Sequence, residues 1–119
     1  MVSGDQWTGA LVIARLVEAF RQLPATPIYA PSRARIELLG PQEGPVEVAD
    51  LILLSADYLG RTSRGRVQLL TFARAYAAGE SIVAVCRQHG WARAGTYRRV
   101  RRAADDLAAA LNVRHVVRN

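Results

Sequence analysis

All five prolines of this 119-residue chain lie between positions 24 and 45. Proline removes a backbone hydrogen-bond donor and disfavours helical backbone in the residue before it. We therefore expect residues 24–45 to connect two helical parts of one domain that spans residues 1–119. Residues 1–23 contain the predicted N-terminal helix, and residues 46–112 form the second helical part, which contains the remaining predicted helices.

Apolar residues recur at helical spacing on both sides of this connector. The first pattern comprises Trp7, Leu11, Leu16, Ala19, Phe20 and Leu23. Four further patterns cover residues 46–60, 63–80, 81–90 and 92–112. No segment alternates as a strand does, so the sequence predicts an all-α protein with about five helices. The tail, residues 113–119, is compatible with a continued helix, a strand or a frayed end.

Short polar residues and glycines predict where these helices begin and end. Asp5 or Thr8 can cap the first helix, and Pro24 ends it. The predicted N-caps of the third and fourth helices are Ser63 and Ser81. The predicted C-terminal glycines are Gly60, Gly79 and Gly90.

The basic charge of the chain is concentrated in its second half. All sixteen basic residues are arginine, and the net charge is +6. Residues 1–60 carry four arginines and seven carboxylates, whereas residues 61–119 carry twelve arginines and three carboxylates. A domain with one strongly basic half is a candidate for a polyanionic partner, and nucleic acid is the commonest such partner.

The composition argues against most other functions. The single cysteine, Cys86, excludes an internal disulfide and fits a reducing cytoplasm. His89 and His115 stand far apart without cysteine or paired carboxylates, so we expect no metal site. No glycine-rich phosphate loop, catalytic constellation or membrane-spanning run is present in the sequence. We expect neither enzymatic activity nor a cofactor.

The order of elements in residues 81–112 is typical of a helix-turn-helix. A short capped helix with Ile82, Val85 and Cys86 on its buried stripe is followed by Gly90. Trp91 is predicted to fill the corner between the helices, and a long helix begins at residue 92. The sequence therefore predicts a C-terminal helix-turn-helix whose second helix, residues 92–110, enters the major groove of DNA.

We predict the direction in which each arginine of that helix points by placing Tyr97 toward the core and rotating 100° per residue. The residues then predicted to face outward are Gly95, Arg98, Arg99 and Arg102. Arg98 and Arg99 are predicted to reach base edges, where arginine makes bidentate bonds to guanine. The residues predicted to contact phosphate or to flank the site are Arg93, Thr96, Arg101, Arg102, Arg64 and Arg66. The alternative interpretation is a merely solvated basic face.

The stretch "ARAYAAGESIVAVCRQHGWARAGTYRRVRRAADDLAAALN" resembles the C-terminal helix-turn-helix of small phage and prophage proteins of alphaproteobacteria. Residues 90–99 also resemble the turn of the sigma-region-4-like class, except that Ala92 replaces the usual capping serine. The opening "WTGALVIARLVEAFRQLP" is similar to the N-terminus of one such family. The resemblance covers about 80 residues at the two ends of the chain, and the middle of the chain is only poorly similar.

The resemblance implies a cytoplasmic, nucleoid-associated regulator of phage genes. A narrower implication is an activator of gene transfer agent genes that works with a partner contacting RNA polymerase. Two other classes remain open: a DNA-recruiting packaging module such as a small terminase subunit, and a sigma-like module that binds polymerase without reading DNA. The helix at residues 7–23 is long enough to form a homodimer.

Overall fold

The computed structural model describes the backbone of residues 6–28 and 48–118 and the side chains of residues 6–28 and 51–113. These residues form five α-helices and no strand, which confirms the all-α prediction. The helices are α1 (Gly9–Gln22), α2 (Val48–Leu59), α3 (Arg64–Ala78), α4 (Ile82–His89) and α5 (Arg93–Arg118). Most of the predicted connector, from residue 29 onward, lies outside the described residues, as do Asp5 and the side chain of His115.

Three helices begin at a hydroxyl cap. The side-chain oxygens of Thr8, Ser63 and Ser81 accept from the backbone N–H groups three residues later, at 3.1, 3.2 and 3.2 Å. Each bond satisfies an amide that has no partner within its helix. The caps predicted at Ser63 and Ser81 are confirmed, and Thr8 is the cap of α1.

Left-handed glycines follow α2, α3 and α4. Gly60, Gly79 and Gly90 have φ of 91°, 73° and 71°, a conformation that L side chains rarely adopt. After α3 and α4 the next amide bonds back into the helix, as Trp91 N does to the Cys86 carbonyl at 2.8 Å. This is the Schellman arrangement, and it confirms the predicted helix ends. The α5 backbone continues to Arg118, so the tail extends the helix.

One hydrophobic core joins all five helices. The buried face of α1 carries Val12, Leu16, Val17, Ala19 and Phe20, and it packs against α2, α3 and α5. Leu23, predicted on that face, is exposed because it lies just past the last helical turn. Because other helices of the same chain cover this face of α1, it is not available for contact with a second copy. A homodimer through α1 stays a prediction.

The start of α1 is fastened to α5. The Trp7 amide donates to Asn112 Oδ1 at 2.7 Å, and Asn112 Nδ2 donates to the Trp7 carbonyl at 2.9 Å. Two turns earlier on α5, the Asp105 side chain packs directly against Gly9, where a Cβ would collide with it. These contacts anchor the C-terminal half of α5 and leave the outer surface of its N-terminal half free of α1.

Candidate nucleic-acid interface

Helices α4 and α5 are joined by a tight three-residue turn, residues 90–92. Gly90 turns the chain, and the first hydrogen bond of α5 runs from Thr96 N to the Ala92 carbonyl at 2.9 Å. Trp91 is half-buried against the core, and its ring stacks on His89 with the centroids 4.3 Å apart. The predicted order of short helix, glycine, aromatic residue and long helix is present.

The first turn of α5 differs from the prediction, whereas Val100, Ala104, Leu107 and Leu111, which share helical spacing with Tyr97, are buried. The residues that face the core are Thr96, Val100, Ala103, Ala104, Leu107, Ala108 and Leu111. Tyr97, predicted to point inward, is 42% exposed and meets Phe72 edge-on, with the ring centroids 5.3 Å apart. Helices α3 and α5 approach closely, since a Cβ on Gly65 would lie only 3.3 Å from that of Ala103. Tyr97 lies to one side of the buried stripe, where its ring packs against Phe72 of α3.

Four arginines stand exposed on the N-terminal half of α5: Arg93, Arg98, Arg101 and Arg102. Each residue turns the helix by 100°, so Arg98 lies opposite the buried side marked by Thr96 and Val100. Arg102 approaches Asp106 at 3.9 Å, but both side chains are solvent-exposed and such a pair contributes little. These cations are therefore available to an external anion.

Arg99 does not point outward as predicted. It is partly buried, and its Nη1 donates to Gln68 Oε1 of α3 at 2.9 Å. Gln68 is itself only 1% exposed. Sequence reasoning missed Gln68, although its position between Gly65 and Phe72 on one helical face was a usable signal. Arg99 is thus held at the edge of α5 and is not free to read bases as an outward side chain.

The phosphate clamp predicted at Arg66 is wrong, because Arg66 is 0% exposed. Its guanidinium donates to Ser55 Oγ at 2.8 Å and to the carbonyls of Ile28, Arg61 and Ile52 at 2.6, 3.1 and 3.2 Å. Burial and the neighbouring Arg61 charge lower the pKa of Arg66 to about 10, so it stays a cation at neutral pH. Its role is structural. Arg64, the other half of the predicted clamp, is exposed.

Thr96 was predicted on the flank of α5 in contact with DNA phosphate, and this placement is also wrong. Its side chain is 1% exposed, because the threonine faces the core. The threonine instead lines a pocket between α3 and α5.

A pocket of about 260 Å³ lies between the start of α3, the turn and the start of α5. Its lining residues are Arg64, Gln68, Gly90, Trp91, Ala92, Gly95, Thr96 and Arg99. The two arginines and the absence of a carboxylate among these residues make its lining electropositive. The pocket could not be predicted from local sequence patterns, since Arg64 and Gln68 of α3 are distant along the chain from its other walls, residues 90–99.

Within the described residues, no group of three or more histidine, cysteine, aspartate or glutamate side chains is placed to hold a metal ion. In the same part of the chain, no helix is long and apolar enough to cross a membrane. Comparison with known proteins found no matching family model, curated protein or solved structure.

Proposed function

We propose that this protein is a sequence-specific, double-stranded-DNA-binding transcriptional regulator. In this proposal α4 and α5 act as a helix-turn-helix, and the N-terminal half of α5 enters the major groove. The observation that carries the proposal is the exposed arginine cluster of Arg93, Arg98, Arg101 and Arg102 directly after the Gly90 turn.

The positions of these arginines suggest different contacts. Arg98 lies opposite the buried side of α5, and a side chain in that position reaches furthest into a groove. We assign it to a guanine edge, which arginine recognises by two parallel hydrogen bonds. Arg101 and Arg102 flank this line, and Arg93 lies beside the turn at the start of the helix; all three are assigned to backbone phosphates. Arg99 and Arg64, beside the pocket, are assigned to the phosphate side as well.

The distribution of carboxylates along α5 supports this orientation. No acidic residue occurs in α5 before Asp105, whereas Asp105 and Asp106 follow directly after the arginine cluster. Carboxylates in the groove would repel the phosphate backbone. The contact surface is therefore assigned to the first three turns of α5, on the part of the helix that α1 leaves free.

The genes controlled by such a regulator are suggested by the sequence resemblance. It favours genes of phage, prophage or gene-transfer-agent type, and activation together with RNA polymerase or a co-activator protein. A cytoplasmic, nucleoid-associated location and the absence of enzymatic activity belong to the same proposal.

Genome-wide occupancy of the tagged protein tests the proposal. We expect a few sharp peaks that disappear in the double variant Arg98→Ala/Arg101→Ala. The matched control, Arg15→Ala/Arg21→Ala, removes two exposed arginines from α1 and should leave the peaks unchanged. Diffuse or no enrichment of the parent protein would refute a sequence-reading regulator and favour packaging of DNA or binding of polymerase.

A further inference from the structure

The N-terminus of α5 differs from those of α1, α3 and α4 because it carries no side-chain cap. Ala92 occupies the N-cap position and has no side-chain oxygen, whereas the other three helices begin at Thr8, Ser63 and Ser81. The amides of residues 93–95 precede the first hydrogen bond within α5. Such amides carry partial positive charge and bind anions well. Of these three residues, Gly95 lines the pocket between α3 and α5.

Two nearly buried side chains present hydrogen-bond donors to the same pocket. Among the described residues, the Thr96 hydroxyl has no hydrogen-bond partner, and the only side-chain hydrogen bond of Gln68 uses its amide oxygen. Every fully enclosed polar side-chain atom in this part of the chain does have a partner. The Thr96 hydroxyl and the Gln68 amide nitrogen are therefore not fully enclosed, and the pocket that both residues line is the space they face.

Arg64 and Arg99 supply full positive charges at this pocket. Arg99 donates one N–H to Gln68, and the other N–H groups of its guanidinium remain as donors. Together with the Gly95 amide, the Thr96 hydroxyl and the Gln68 amide, they line the pocket with donors from two helices, α3 and α5. Carboxylates, which would favour a cation, are not among its lining residues.

We propose that this pocket binds a phosphate group, held by Arg64, Arg99 and the Gly95 amide at the start of α5. Phosphate is the anion whose several oxygens match this number of donors and cations. A volume of about 260 Å³ leaves room for a substituent on the phosphate. The group is either a backbone phosphate of bound DNA, in which case the inference rests on the function proposed above, or a free phosphate ester.

The test is a titration of the isotope-labelled full chain with inorganic phosphate, followed by NMR. We expect saturable shifts of the Gly95 and Thr96 amide signals and of the Trp91 indole signal, with no response to chloride at the same ionic strength. Arg64→Gln should weaken phosphate binding about tenfold, because a charge-assisted hydrogen bond is lost. Thr96→Val, which retains the side-chain shape, should weaken it as well. Arg21→Gln, an exposed arginine of α1, should not.

A second titration with duplex DNA distinguishes the two sources. If the group is a backbone phosphate, the duplex shifts the same signals and inorganic phosphate competes with it. If the group is a free ester, bound duplex does not weaken the binding of phosphate to the pocket. If phosphate binds but the duplex does not bind at all, the DNA-binding function is refuted and the pocket proposal stands. The pocket proposal is overturned if neither ligand shifts these signals, or if Arg64→Gln and Thr96→Val respond as the parent does.

Discussion

Arg66 is buried, although its position in the sequence suggests a surface residue. Two positions after Arg64 in a basic sequence it suggests a surface charge, yet it is completely buried and bonds to three carbonyls and a hydroxyl. Through these bonds it joins Ile28, beyond α1, to Ser55 and Ile52 of α2 and to the start of α3. Buried arginine is stable only with such a set of acceptors.

Arg66→Ala should therefore reduce the free energy of unfolding by about 3–5 kcal/mol, because it leaves a cavity and unsatisfied carbonyls. The measurement is denaturation by urea. Arg64→Ala, which removes an exposed arginine from the same turn of α3, serves as the control and should change stability by less than about 0.5 kcal/mol. Equal effects of the two substitutions would show that Arg66 is not the buried clamp.

Substitution of Gly95 should affect the stability of α5 and the binding of phosphate in opposite directions. A Cβ at this position would meet only Arg98 Nη2, at an ordinary 3.8 Å, so alanine fits without strain. We expect Gly95→Ala to stabilise the fold by roughly 0.5–1 kcal/mol, measured by thermal unfolding, because alanine favours the helix. The same methyl group narrows the pocket, so phosphate binding should weaken. Unchanged binding would place the anion away from α5.

At the level of elements, the ends of the helices follow from the sequence more closely than their rotations do. Caps such as Ser63 and Ser81, and the glycine after α4, act within a few residues and can be recognised locally. The side of α5 that faces the core depends instead on how α3 packs against it, which residues 92–112 do not encode. For this reason Tyr97 was assigned to the core and Thr96 to the flank, whereas Thr96 is buried and Tyr97 is partly exposed.

The attachment of α1 to α5 is a second contact that local patterns do not reveal. Asn112 exchanges two hydrogen bonds with the Trp7 backbone across 105 residues. Asn112→Ala should lower the free energy of unfolding by about 1–3 kcal/mol, because two partly buried bonds are lost. The comparison variant is Gln88→Ala on the exposed side of α4, where little change is expected. An effect below about 0.5 kcal/mol for Asn112→Ala would contradict this attachment.

The whole molecule divides its charge between the two halves of the chain. Twelve of the sixteen arginines follow residue 60, and the exposed ones on α5 are placed where α1 does not cover the helix. The sequence was sufficient to predict the all-α fold and this basic surface. It was not sufficient to predict which arginines are buried, because burial of Arg66 depends on acceptors from α2 and from the residues after α1.

Binding through such a surface should depend strongly on salt. If Arg102 contacts a phosphate, Arg102→Ala should weaken binding to all duplexes alike and reduce the slope of log K against log salt concentration by about 1. Fluorescence anisotropy at several salt concentrations measures this slope. Arg21→Ala should leave the slope as it is, and an unchanged slope for Arg102→Ala would remove this residue from the interface.

The most direct test of the central claim is selection of bound sequences from a random pool of DNA duplexes, performed with the parent protein and with Arg98→Ala. The account predicts that the parent enriches a defined motif containing guanine and that Arg98→Ala loses the preference for one position of it. Arg21→Ala should select the parent motif. No enriched motif, or the same motif from Arg98→Ala, would contradict the claim that α5 reads DNA through its outward arginine.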